Sequence, residues 1–280
     1  MISLRIIPEV SKVHLELKGQ ITMFNYKYFI CLFIFLQLNI STVLAGVFEA
    51  DDFGYACTAS TKCIHACNGF KLQPVYNFSS DAKIRYSLNM VIVKRFSRKW
   101  GMGIKIPYVI SGQSNNNQKG LHDLGFIFKR VLYINEDRGF IFTSGFFLSP
   151  PTGDKNKGFT KDFTNIQPYL ILGKIFEHVK TETEFAISIP SNQHKGDLIY
   201  TWNTAFILNQ QIKGNTFIME LSCNILKDDT KNKSNLFVIP ILMKKLSFIP
   251  KSVIAVGIKS PIINVSNSNT SLICYFIREF

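Results

Sequence analysis

The stretch Leu198-Ile199-Tyr200-Thr201-Trp202-Asn203-Thr204-Ala205-Phe206-Ile207-Leu208-Asn209 decides the fold. One parity carries Leu198, Tyr200, Trp202, Phe206 and Leu208, and the other carries Thr201, Asn203, Ala205 and Asn209. Successive side chains of a strand point to opposite faces, so a period of two builds a strand with one apolar and one polar side. Soluble strands average about five or six residues, whereas a tilted strand needs roughly 9–11 to cross a bilayer. This stretch meets the longer requirement.

The pattern recurs. Phe217, Met219, Leu221, Cys223 and Ile225 alternate with Ile218, Glu220, Ser222 and Asn224. Ile84, Tyr86, Leu88, Met90 and Ile92 alternate with Lys83, Arg85, Ser87, Asn89 and Val91, and a third run passes from Trp100 to Ile110. About twelve such segments are expected, near 70–78, 83–96, 99–112, 120–134, 139–149, 162–176, 180–190, 197–211, 215–228, 233–246, 251–260 and 269–280. Short connections at Ser97-Arg98, 135–138, 177–179 and 211–214 alternate with longer polar ones at 113–119, 150–161, 191–196, 229–232 and 261–268. Short turns at one end and long loops at the other are the habit of outer-membrane barrels. The expected fold is therefore all-β, an antiparallel transmembrane β-barrel of about 12 strands over residues 70–280.

Bulk composition agrees. The chain has 46% hydrophobic residues, 25 Phe against 2 Trp, and a net charge of +13; its mean hydropathy is +0.12. An apolar exterior and a polar interior accommodate both properties. Trp100 and Tyr108 share the apolar parity, and eight residues span about 26 Å of strand. A tilt of about 40° reduces this to roughly 20 Å along the axis, near the ~25 Å band between aromatic girdles. The sequence ends on Phe280, on the parity of Leu272, Cys274 and Phe276, as in strands recognised by a barrel-assembly machinery; Arg278 interrupts that face.

Residues 23–45 read as a signal peptide, with Lys27, an apolar run from Tyr28 to Leu38, and cleavage between Ala45 and Gly46. The apolar run falls short of the ~20 residues of a membrane anchor. Residues 1–22 read as an upstream extension before a second start at Met23. Removing 1–45 takes away Arg5, Lys12, Lys18, Lys27, Glu9 and Glu16 and leaves the remainder strongly basic. For an exported chain this charge points to outer-membrane lipids, lipopolysaccharide or anionic solutes as neighbours, not nucleic acid. The expected location is the bacterial outer membrane.

Two short segments carry a family resemblance. Gly120-Leu121-His122-Asp123-Leu124 and Leu148-Ser149-Pro150-Pro151-Thr152-Gly153-Asp154, with Pro107-Tyr108 ahead of them, resemble segments of a family of outer-membrane transporters named after the meta-pathway of phenol degradation. His122 stands where that family has Gly, and Pro150 is an additional proline. The resemblance implies a barrel that passes small molecules and does not specify which.

Parity assigns Lys83, Arg85, Lys105, Asp123, Lys129, Glu182, Glu184 and Glu220 to the lumen. Rings of charge select ions and polar solutes, so these residues either line a pore with a mild preference for anions or neutralise one another in a closed interior. A structural or adhesive barrel acting through its loops is the alternative. A lipid hydrolase is a further one, but His65, His122, His178 and His194 fall in no serine-hydrolase motif, and no catalytic residue is assigned. The 150–161 loop reads as a simple solvated turn. Cys57, Cys63 and Cys67 form a cluster within 46–69 whose spacing favours one disulfide and a leftover thiol over a metal site. No cofactor motif is present.

Overall fold

The computed structural model describes residues 67–78, 84–111, 118–192, 196–208, 215–227, 232–263 and 270–280. The segments 1–22 and 23–45, the Ala45–Gly46 junction, all of 46–69 before Cys67, and Lys83 and His194 lie outside the described residues.

Thirteen strands form one antiparallel sheet: β1 (Gly69–Asn77), β2 (Ile84–Arg95), β3 (Trp100–Ser111), β4 (Lys119–Leu121), β5 (Gly125–Asn135), β6 (Phe140–Ser149), β7 (Asn165–Ile175), β8 (Val179–Pro190), β9 (Leu198–Leu208), β10 (Asn215–Lys227), β11 (Asn232–Lys245), β12 (Ser252–Ile263) and β13 (Ser271–Glu279). Each pairs with its sequence neighbour, β13 pairs with β1, and β2 with β3, so twelve strands close a barrel. Closure removes the unpaired edges that an open sheet of this length would expose. β4 is the thirteenth element: it pairs with the end of β3 while β5 pairs with its beginning, so the two are one strand interrupted at His122-Asp123-Leu124. The expected 120–134 strand thus carries a break that periodicity did not indicate. The expected 162–176 strand begins later, at Asn165, because residues 150–164 form a folded loop. β12 continues to Ile263 across a register shift that accommodates Pro261.

Register and burial agree on the faces. The outward parity of β9 exposes Trp202, Phe206 and Leu208, while Asn203, Ala205 and Ile207 are buried. Exposed apolar residues continue around the barrel, among them Ile92, Met102, Leu172, Phe185, Leu242 and Val256. Outward aromatics sort by end. Tyr76 and Tyr86 pair across β1 and β2 near the longer loops, with Tyr108 and Tyr200 at the same end. Trp100, Tyr133, Phe176, Phe206 and Phe217 lie near the short turns, where Arg130 covers the Trp100 ring at 5.0 Å.

Glycine packs the barrel wall from inside. The phenol end of Tyr169 fills the space a Cβ at Gly145 would need, and its hydroxyl donates to the Phe128 carbonyl at 3.1 Å. A bulge between Val131 and Tyr133 turns Val131 and Leu132 both inward.

Candidate functional site: the barrel lumen

The interior is layered along the barrel. Toward the turns it is apolar: Ile141, Ile171, Ile207, Ile218, Ile241 and Met243 are buried in one cluster. Toward the loops it is mostly neutral and polar, with Asn165 and Ser188 bonded through both Asn165 amide atoms, Thr201 donating to Asn224 at 3.0 Å, and Ser271, in register with Lys259, donating to Asn77 at 2.6 Å. Most of the buried carboxylates and the lysines opposite them occupy the level between.

That charged level has two opposed walls. In the hydrogen-bonded register, Glu182 of β8, Ala205 of β9 and Glu220 of β10 lie in one row. Lys71 of β1, Val91 of β2 and Lys105 of β3 lie in another. In each row a small or β-branched residue separates two like charges, placing them two strands or about 9–10 Å apart. The central strands, β2 and β9, stand on opposite sides of the ring. Lys71 lies within electrostatic reach of Glu220, Lys105 and Glu182, and Lys259 within reach of Glu220. Glu184, one inward position beyond Glu182 and nearly fully buried, extends the acidic wall toward the loops. Lys259 covers the Phe237 ring at 4.0 Å, and Lys71 covers Tyr275 at 4.9 Å.

Of the residues assigned to the lumen by parity, Lys105, Lys129, Glu182, Glu184 and Glu220 share the inward side. Arg85 falls at the β2 bulge between Ile84 and Tyr86. Lys129 lies nearer the turns, within reach of Cys67, Glu182 and Glu279. Sequence parity passed over Lys71 and Lys259, although both sit at inward positions of alternating strands. Cys67 is a buried thiol with no disulfide among the described residues, and burial pushes its ionisation above the ordinary value. Its partners in the sequence cluster, Cys57 and Cys63, lie outside the described residues.

Asp123 has a different role from a ring charge. It sits in the β4–β5 interruption, where Oδ1 accepts the Gly153 N–H at 2.9 Å and Oδ2 accepts the Lys161 N–H at 3.0 Å. Thr152 accepts the Leu124 N–H, and Ser149 donates to the Leu124 carbonyl. The loop expected to be a simple solvated turn is therefore fastened to the break at both of its ends. Within it, Asp154 caps a 3-10 turn at Lys155–Lys157, and Phe159 is buried against Gly120. His122 Nδ1 accepts the Asp123 N–H at 2.8 Å.

Neither protein-family models nor curated proteins give a match to this sequence. Solved structures do. The KdgM porin matches with a TM-score of 0.53 at 13% identity, covering 76% of this chain and 99% of the porin. An outer membrane channel from Pseudomonas putida F1 matches at 0.60 and 12% identity, covering 81% and 100%. The NanC porin matches at 0.55 and 11%, covering 75% and 99%. The chain thus has the fold of the porin-like outer-membrane barrels.

Proposed function

We propose that this protein is a bacterial outer-membrane channel through which small polar molecules diffuse passively. The observation that carries the reading is the pair of opposed charged rows, Lys71–Lys105 against Glu182–Glu220, inside a barrel whose outer belt is apolar. Charge confined to the interior of a lipid-facing barrel acts on what enters the lumen. The channels and porins with this fold make passage the economical assignment. The inward lysines Lys71, Lys105, Lys129 and Lys259 outnumber Glu182, Glu184 and Glu220, which supports a mild preference for anions.

The apolar belt matches lipid and lipopolysaccharide as surroundings, and the alternating strand ending at Glu279 suits delivery by the barrel-assembly machinery. Signal-peptide export of residues 23–45 belongs to the same reading. Membership of the phenol-pathway transporter family belongs to the same proposal; Gly120–Leu124 and Leu148–Asp154, the two segments on which the resemblance rests, are hydrogen-bonded to each other. The reading assigns no catalysis to the chain.

Recordings from refolded protein in planar bilayers test it. Discrete conductance steps with slight chloride selectivity are expected. Protein that inserts and shows the heat-modifiable migration of a folded barrel, yet never conducts, would overturn the channel assignment.

A further inference from the structure

On the loop side of the charged rows, the lumen holds a cavity of about 360 Å³. This lies within the ~300–1,000 Å³ range of small-molecule sites. One wall comes from β9 and β10 and the other from β1, β12 and β13. Its polar groups are mostly neutral amides and hydroxyls: Gln73 and Asn77 on one side, Thr201, Asn203, Ser222 and Asn224 on the other. The one cation in its lining, Lys259, stands in register with Ser271 and lies within electrostatic reach of Glu220.

One group in this cavity is conspicuous. Asn203 is 4% exposed, and its Oδ1 is buried with no hydrogen-bond partner. A buried amide oxygen without a donor costs free energy, and native interiors rarely leave one so. Nearby, Thr201 donates to Asn224 Oδ1, which directs that amide's own N–H donors elsewhere. The cavity therefore presents an unfilled acceptor beside neutral donors, an arrangement that hydroxyl groups, being donor and acceptor at once, complement.

We infer that this cavity is a binding subsite for a neutral polyhydroxylated solute, a small sugar or polyol, with Asn203 as the residue that recognises a hydroxyl. The inference rests on the channel reading for its physiological meaning, but binding is measurable without conduction. The lysine in the lining, Lys259, already lies within reach of Glu220, so a carboxylate entering here would lose hydration against a cation whose charge is partly compensated. An uncharged sugar exchanges its water bonds for those of Asn203, Asn224 and Ser222.

Equilibrium dialysis of glucose and of glucuronate against the refolded full-length protein in detergent micelles tests this, with the same preparations recorded in bilayers. Saturable glucose binding is expected, with glucuronate bound no more tightly. Asn203→Leu, of similar shape but lacking the acceptor, weakens glucose binding about tenfold, the effect of one hydrogen bond in a buried site. Thr201→Val, which releases Asn224, provides a second variant, and heat-modifiable migration reports that each variant is folded. Absence of saturable glucose binding, tighter binding of glucuronate, or folded variants that bind glucose as the parent does would each overturn the inference. Loss of conductance with binding intact would count against the channel reading alone.

Discussion

The carboxylate of Asp123 accepts the backbone N–H of Gly153 at 2.9 Å, joining a break in one strand to a loop 30 positions further along the chain. Its second oxygen holds the Lys161 N–H, so a single buried side chain secures both arms of the 150–164 loop. Hydrogen bonds to a charged acceptor contribute about 1.5–3 kcal/mol each. Asp123→Ala is expected to release the loop while leaving the barrel closed. Trypsin should then cut after Lys155, Lys157 or Lys161 much faster than in the parent protein. Heat-modifiable migration should be unchanged, and equal cleavage rates would show that Asp123 does not hold the loop.

Within that loop, the Lys157 ammonium at 3.0 Å holds the Asp154 carboxyl below its ordinary value, with help from the Asn156 backbone N–H. A carboxylate whose folded value is depressed stabilises its surroundings fully above the unfolded value. That contribution is lost as pH falls through the folded one. Protection of the Asn156 and Phe159 amides, measured against the unstructured exchange rate at the same pH, should therefore fall on acidification below the ordinary carboxylate range. In Asp154→Asn the exchange should be faster at neutral pH and lack that acid-dependent step.

The acidic wall should oppose the entry of anions. Glu182→Gln combined with Glu184→Gln leaves the inward lysines in excess, so reversal potentials in a salt gradient should move toward the chloride potential. Lys105→Gln should move them the other way. Shifts of the same sign in the two variants would rule out independent action of the two rows on permeating ions.

The apolar layer near the turns should be the narrowest resistance to ions, since apolar constrictions exclude water as well as charge. Ile241 is 1% exposed and pairs across to Ile218. Ile241→Ala should cost about 2–5 kcal/mol of stability by leaving a cavity. It should also raise single-channel conductance. A destabilised barrel of unchanged conductance would place the limiting constriction elsewhere.

Faces were legible in the sequence, and depth was not. The alternation through Leu198–Asn209 predicts which residues of β9 point outward, because a strand's parity is a local property of its backbone. The same alternation places Ile218 among polar neighbours and cannot say that it joins Ile207 and Ile241 in a buried layer, since that depends on the register of three strands. Lys71 and Lys105 become one wall through a strand that separates them, and Asp123 finds Gly153 across a loop. Both relations arise from pairing and chain reversal, which no short period encodes.

The seam between β1 and β13 bears on how the barrel is made. Asn77 and Ser271, 194 positions apart, meet there, and the Phe280 N–H donates to the Asn68 carbonyl at its other end. Contacts of such separation carry the largest loop-closure cost and slow folding. Hairpins from β5 to β12 can form as the chain is laid down, yet the cylinder stays an open ribbon until its two extreme strands find each other. Assembly should therefore be slow and all-or-none at that last step, with the unclosed ribbon as the species that a membrane insertase has to hold.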